Sequence, residues 1–344
     1  MKKRILLLLL AFGLLLSACT AAPESTSPAT TTRESASGAT TAAPTEPMEE
    51  KEMDLFGSLF PKDGNIPKKK EIVKIVRELS GDAKRITEIT YTWKSGKASM
   101  EVLSGNRDLY DAGEAPEDNP LQLVYGESQW YNYVLYLPEG YDPADTEKKW
   151  PVIYFFHGIG EIGSDLNELL SYGVLSYLQK GGKLDAIVIA PQCPEGSHWA
   201  DTDVEEGRLK QFVPEMQEKY NIDADRMYLT GLSMGGRCTW KLALAMPNTF
   251  AAIAVVCGRT NTYEFETIQN MPIWMFHGVQ DSTVSFDNIS KILPVLDEKQ
   301  HRYYKLTIYP EMSHSIWGTV YEREDVYQWL LEQSLTNNQK QAQK

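Results

Sequence analysis

The chain has 344 residues, 42% of them hydrophobic, with a formal net charge of −13. That much apolar material excludes a wholly disordered chain and suffices for a substantial core in one large or two smaller domains. The acidic surplus argues against nucleic acid as a partner, and four cysteines are too few for a disulfide-stapled scaffold.

Lys2, Lys3 and Arg4 precede an apolar run from Ile5 to Leu16, the pattern of a secretory signal and too short for a comfortable membrane span. The run ends in Leu16-Ser17-Ala18-Cys19, which resembles the bacterial lipobox. That resemblance implies removal of residues 1–18, lipidation at Cys19, and an extracytoplasmic protein anchored to the cell membrane. Loss of the three cations would take the formal charge from −13 to −16. Cys193, Cys238 and Cys257 then remain, and they read as buried small apolar residues. From Thr20 to about Glu52 the chain is almost entirely Thr, Ala, Ser, Pro and Glu. Without apolar periodicity it cannot bury enough surface to fold, so 19–52 is expected to be a tether.

Residues 53–125 read as a small β-rich extension, for which an immunoglobulin-like arrangement is one form. Ile72, Val73, Ile75, Val76 and Leu79 fit a short helix or a strand, and periodicity does not decide. Ile86 to Trp93 and Ala98 to Leu103, joined across Lys94-Ser95-Gly96-Lys97, read as a hairpin.

From 126 to 335 the rhythm changes. A strand at Trp130 to Leu137 is followed by short apolar runs at Val152 to Phe156, Ala186 to Ala190, Met227 to Thr230, Ala252 to Val256, Ile273 to Phe276 and Tyr304 to Tyr309. Helix-like segments lie between them: Glu205 to Tyr220, Met234 to Ala245, Phe286 to Asp297 and, last, Asp325 to Gln333. Near-continuous apolar strands alternating with helices predict an α/β domain, a mostly parallel sheet covered on both faces. Its ligand site belongs at the carboxyl ends of the strands. Residues 336–344 read as a polar tail.

Gly158-Ile159-Gly160-Glu161-Ile162-Gly163 follows a strand and has Asp185 about twenty residues on, the spacing of a dinucleotide fingerprint. In that fingerprint the acidic residue sits at the far end of the next strand, whereas Asp185 precedes the strand Ala186 to Ala190. Nucleotide binding is therefore not expected.

The informative stretch is Arg226 to Gly236, where an apolar strand runs into Gly231-Leu232-Ser233-Met234-Gly235 and then a helix. This is the context in which Gly-x-Ser-x-Gly places a serine hydroxyl on a sharp exposed turn. The Met234 N–H and an N–H of the loop after His157, that of Ile159, are expected to hold an oxyanion. A serine nucleophile needs a base, and the base an orienting carboxylate, in the chain order Ser, acid, His. Asp281 follows the strand Ile273 to Phe276 and His314 follows Tyr304 to Tyr309, so both stand at carboxyl ends. Asp287 falls in the next helix. Of the other histidines, His157 reads as loop-shaping, His277 as preceding the acid, His198 as lying upstream of the serine and His301 as solvated. Neither a metal-binding His-Glu-x-x-His nor a phosphate loop is present, so no metal or cofactor is expected. Trp199 and Trp317 are the aromatic candidates for binding substrate, while Glu161 and Asp165 read as structural.

Taken together, His157-Gly158-x-Gly160-Glu161-x-Gly163-x-Asp165, Pro191-Gln192-Cys193-Pro194, Tyr220-Asn221-Ile222-Asp223-x-Asp225-Arg226, Gly231 to Gly236, His277-Gly278-x-x-Asp281-x-x-Val284 and His314-x-x-Trp317 resemble the α/β-hydrolase superfamily. Within it they are similar to compact secreted esterases of the feruloyl, acetylxylan and polyhydroxybutyrate type, often labelled predicted peptidases. The resemblance covers about 130–335. It implies a Ser233-Asp281-His314 triad that hydrolyses carboxylic esters, on small molecules or linked to polysaccharide, without a cofactor. A serine peptidase of the same fold and a non-catalytic surface lipoprotein are the rivals. The stretch from Trp130 to Gln333 is no larger than an ordinary domain, with little room for the extra module a peptidase would add, and a dead descendant has no need to retain serine, acid and base together.

Overall fold

The computed structural model describes residues 86–95, 97–104, 123–199, 203–261 and 263–343; the signal, Cys19, the tether and the segment Ile72 to Leu79 lie outside them. The strands are β1 (Ile86–Lys94), β2 (Lys97–Ser104), β3 (Leu123–Glu127), β4 (Asn132–Tyr136), β5 (Trp150–Phe156), β6 (Ile187–Pro191), β7 (Ile222–Leu232), β8 (Ala252–Val256), β9 (Ile273–Gly278) and β10 (Tyr303–Tyr309). They form one sheet in the order β2-β1-β10-β9-β8-β7-β5-β6-β4-β3. The six from β10 to β6 are parallel, and an antiparallel pair flanks them on each side.

Helices α1 (Gly173–Gln179), α2 (Asp203–Lys219), α3 (Met234–Ala245), α4 (Asp287–Glu298), α5 (Trp317–Tyr321), α6 (Glu324–Leu331) and α7 (Leu335–Ala342) accompany the sheet. Alternate residues of one strand enter two different cores. In β5, Tyr154 and Phe156 join Phe212 of α2, Trp240 of α3 and Ile292 of α4. Ile153 and Phe155 point the other way, to Leu175 of α1, Tyr321 of α5 and Leu330 of α6. Both faces being covered, every residue of β5 and β6 is buried, which is why these strands read as unbroken apolar runs.

Three boundaries moved. The strand expected at Met227 to Thr230 extends from Ile222 to Leu232, because its first residues are polar but paired: Arg226 Nε donates to Asp223 Oδ2 at 2.7 Å. The polar tail continues as α7, capped by the Ser334 side chain and held where Asn338 Nδ2 donates to the Ala251 carbonyl at 2.8 Å. The expected hairpin forms, but as the sheet's own edge and not as a separate immunoglobulin-like body: β1 runs antiparallel to β10 from Ile89↔Ile308 to Lys94↔Tyr303.

A buried charge cluster fastens that edge. Arg323, only 3% exposed, lies 3.0 Å from Glu88 of β1. It donates to the Tyr309 hydroxyl at 2.9 Å and through Nε and Nη2 to the Asp325 carboxylate at 3.0 and 2.8 Å. Its guanidinium also lies over the rings of Trp274 and Phe276. Truncating one member of a buried pair strands the other charge at a cost of about 3–5 kcal/mol. Arg323→Leu should therefore lower the unfolding free energy in urea by about that much, and adding Glu88→Met should recover most of the loss.

Candidate active site

The order β6-β5-β7 marks the point where the chain, having stepped from β5 to β6, returns to the other side of β5. Crevices at such a switch, outside the carboxyl ends of the strands, are where ligands bind in sheets of this kind. The loop after β5 and the turn after β7 meet there. Ser233 occupies that turn at φ 53 and ψ −111, a strained conformation for a residue with a Cβ. Close packing enforces it. A Cβ on Gly235 would sit 1.9 Å from the Phe156 carbonyl oxygen, and one on Gly231 would sit 2.5 Å from the Gly235 backbone, so only glycines let α3 start this near the strands.

Met234 opens α3, where the first N–H groups have no intrahelical acceptor and the helix dipole is positive. Ile159 opens a single turn of 3-10 helix, Ile159–Glu161, and its side chain is 62% exposed. The two residues expected to face an oxyanion thus follow neighbouring strands. The Ile159 loop is stitched to the chain beyond β6. His157 Nδ1–H donates to the Gly158 carbonyl at 2.6 Å, its Nε2 accepts from the Cys193 N–H at 2.9 Å, and Gln192 Nε2 donates to the Glu161 and Asp165 carbonyls at 3.0 and 2.9 Å. Asp165 caps the following turn by accepting from the Asn167 N–H. His157, Glu161 and Asp165 are in this sense structural.

The structure brings Ser233, His314 and Asp281 into one hydrogen-bonded chain. His314 Nε2 lies 2.8 Å from Ser233 Oγ and its Nδ1 2.7 Å from Asp281 Oδ2. Asp281 is buried, and its Oδ1 accepts the N–H groups of Thr283 and Val284 at 2.9 and 2.8 Å. Burial pushes its pKa up, but donors from His277, His314 and the Val284 backbone outweigh that and hold it down at about 2. Asp287 is exposed on α4. Among the described residues, no group of three or more His, Cys, Asp or Glu side chains is arranged to hold a metal ion.

Other residues depart from expectation. Trp199 is fully buried, its ring packed 5.3 Å from His157 and 5.5 Å from Phe156; with both faces enclosed it is a core residue and offers no surface to a substrate. Trp317 is half-buried and stands edge-on to His314 at 5.6 Å. Beyond it, at 6.1 Å, stands Tyr172, 44% exposed, which the sequence did not single out because it belongs to no motif. His301 is buried, not solvated, with Nε2 3.1 Å from the Ile268 carbonyl. Cys193, Cys238 and Cys257 are free and buried.

Comparison with known proteins adds to this geometry. A model of the dienelactone hydrolase family matches residues 185–329. A solved structure described as a thermostable esterase superposes with a TM-score of 0.54 at 26% identity, covering 70% of this chain and 68% of the other. The fold is that of the α/β-hydrolases. Among curated proteins, the chain is 30% identical over 141 residues to a probable feruloyl esterase C of Aspergillus terreus, covering 41% of this chain and 49% of that one. It is 31% identical over 94 residues to the bifunctional acetylxylan esterase/xylanase XynS20E of Neocallimastix patriciarum, covering 27% of this chain and 14% of that one. The match thus spans less than half the length of either relative. Ser233, His314 and Asp281 bring together the groups that nucleophilic acyl transfer requires: a hydroxyl, an imidazole within hydrogen-bond reach of it, and a carboxylate within reach of the imidazole's other nitrogen.

The buried histidines make stability depend on pH. Desolvation lowers His157 and His301 to about 4 in the folded chain, against an unfolded value of about 6.5. A depressed folded pKa means that the unfolded chain binds the extra protons, so this stabilisation is present above pH ~6.5 and lost as pH falls toward ~4. Urea denaturation across that window should show stability falling on acidification. His301→Gln, which takes up no proton, should flatten the slope by up to ~1.4 kcal/mol per pH unit.

Proposed function

We propose that this chain is a serine carboxylesterase acting on short or aromatic acyl esters such as acetyl and feruloyl groups carried by plant polysaccharide. The observation that carries the reading is the continuous Ser233-His314-Asp281 chain, at 2.8 and 2.7 Å. His314 Nε2 accepts the Ser233 proton as Oγ attacks the ester carbonyl, and Asp281 holds Nδ1–H and stabilises the imidazolium. The N–H groups of Met234 and Ile159 take the oxyanion, His314 returns the proton to the departing alcohol, and water repeats the sequence on the acyl-enzyme. The substrate class draws support from the names of the relatives and from the half-buried Trp317 and exposed Tyr172 that stand in turn beyond His314, which suit a flat ring. The signal and Cys19 complete the proposal, placing the enzyme outside the cytoplasm on a lipid anchor.

Steady-state kinetics on p-nitrophenyl acetate, methyl ferulate and p-nitrophenyl octanoate tests the reading. Ser233→Ala should lose activity by on the order of a million-fold while staying folded, and Asp281→Asn about 10⁴-fold, whereas Asp287→Asn stays near wild type. In the same assay Trp317→Ala and Tyr172→Ala should lower kcat/KM for ferulate about 3- to 10-fold more than for acetate. A preference for octanoate would reject the substrate class.

For the anchor, mass spectrometry of the mature N-terminus should find acylated Cys19, and Cys19→Ala should move the protein out of the membrane fraction with turnover unchanged.

A further inference from the structure

The nucleophile, base and acid account for three of the polar side chains at the strand ends, but not for His277. It is the penultimate residue of β9, fully enclosed, with its ring edge-on to Phe286 at 5.7 Å. Its Nε2 lies 2.8 Å from the Val284 carbonyl oxygen. A carbonyl only accepts, so Nε2 carries the proton. The same nitrogen lies 3.4 Å from Asp281 Oδ2, the oxygen that receives His314 Nδ1. The other ring nitrogen, Nδ1, is buried without a hydrogen-bond partner. A ring placed for packing alone would not leave one nitrogen orphaned while aiming the other at two oxygens of the acid's turn.

Val284 is held at both ends. Its N–H donates to Asp281 Oδ1 and its C=O accepts from His277. His277 thereby closes the Asp281–Val284 turn and leaves the carboxylate one orientation, with Oδ1 toward the turn's N–H groups and Oδ2 toward His314.

We propose that His277 is a positioning residue for ester hydrolysis, its Nε2–H locking the Asp281 turn so that Oδ2 stays aimed at His314. The proposal rests on the triad reading above. Without this lock the carboxylate can rotate off the imidazole, and small misplacements of catalytic groups cost up to about 100-fold in rate. The titratable groups facing Asp281 are His277 on its own strand end, His314 on the loop after β10, and the Cys257 thiol at the end of β8; burial keeps that thiol protonated, so it leaves the pH profile alone.

The test compares His277→Gln, whose side-chain amide N–H reaches where the imidazole Nε2–H lies, with His277→Asn, which is one carbon shorter, and with His277→Leu. Ser233→Ala serves as a control, and a serine-directed phosphonate counts competent sites in each preparation. Per competent site, the Asn and Leu variants should lose about 10- to 100-fold in kcat with KM within about twofold of wild type. The acid limb of kcat/KM, which reports the base in the free enzyme, should move to lower pH, because a displaced carboxylate no longer favours the protonated imidazole. The Gln variant should recover most of the rate and the wild-type limb. If Leu does not fold, the comparison of Asn with Gln carries the decision. An unmoved acid limb in Asn, an upward shift, or equal rates for Asn and Gln would overturn the proposal. Activity surviving in Ser233→Ala would instead overturn the triad reading, so the two failures are distinguishable.

Discussion

Helix α3 begins closer to the strands than a chain with side chains on both sides could bring it. The Phe156 carbonyl stands where a Cβ of Gly235 would be, and this contact of backbone with backbone fixes the geometry of the turn between β7 and α3. Because the helix must start there, Ser233 has to take up a positive φ, and the end of β5 lies against the same turn. The strain amounts to a few kcal/mol at most, and it is carried by a sheet whose central strands are buried on both faces.

The chemistry is spread over the ends of three strands, so the loops must hold register with one another. They do so with buried polar groups. The loop after β5 is tied to the loop after β6 by His157, Gln192 and Cys193, and the turn after β9 is tied to itself by Asp281 and His277. Both rings are enclosed in protein: His157 donates through Nδ1 and accepts through Nε2, whereas His277 donates through Nε2 alone. In His157 an imidazole suits this work because its two nitrogens reach a carbonyl of its own loop and an N–H of the next at once.

How much of this was legible in the sequence follows from what each signal depends on. The parallel strands were legible because double burial leaves continuous apolar runs, and the meeting of Ser233, Asp281 and His314 because chain order and strand ends constrain their places jointly. Trp199 was misjudged because a tryptophan beside a loop reads the same whether the loop folds over it or leaves it open; the closing residues, Tyr131 and Phe156, are distant in sequence. His301 was misjudged likewise, its polar neighbours in sequence giving no sign of the Ile268 carbonyl that receives it. The hairpin was found but not its place, since nothing local to β1 announces that β10 is its neighbour or that Glu88 will meet Arg323. Tyr172 lacked any motif at all.

The position of that hairpin bears on His314. Without β1, β10 would be the edge of the parallel sheet, and edge strands open and pair with other chains more readily than interior ones. With β1 laid along it from Ile89 to Lys94 and Arg323 pinned beneath, β10 is interior, and the His314 loop springs from a strand hydrogen-bonded on both sides. Amide protons along Leu306 to Ile308 are therefore expected to exchange with solvent only when the cooperative core itself opens. The His314 loop is thus mounted on a strand paired on both sides, and the fraying open to an edge strand is closed to its root.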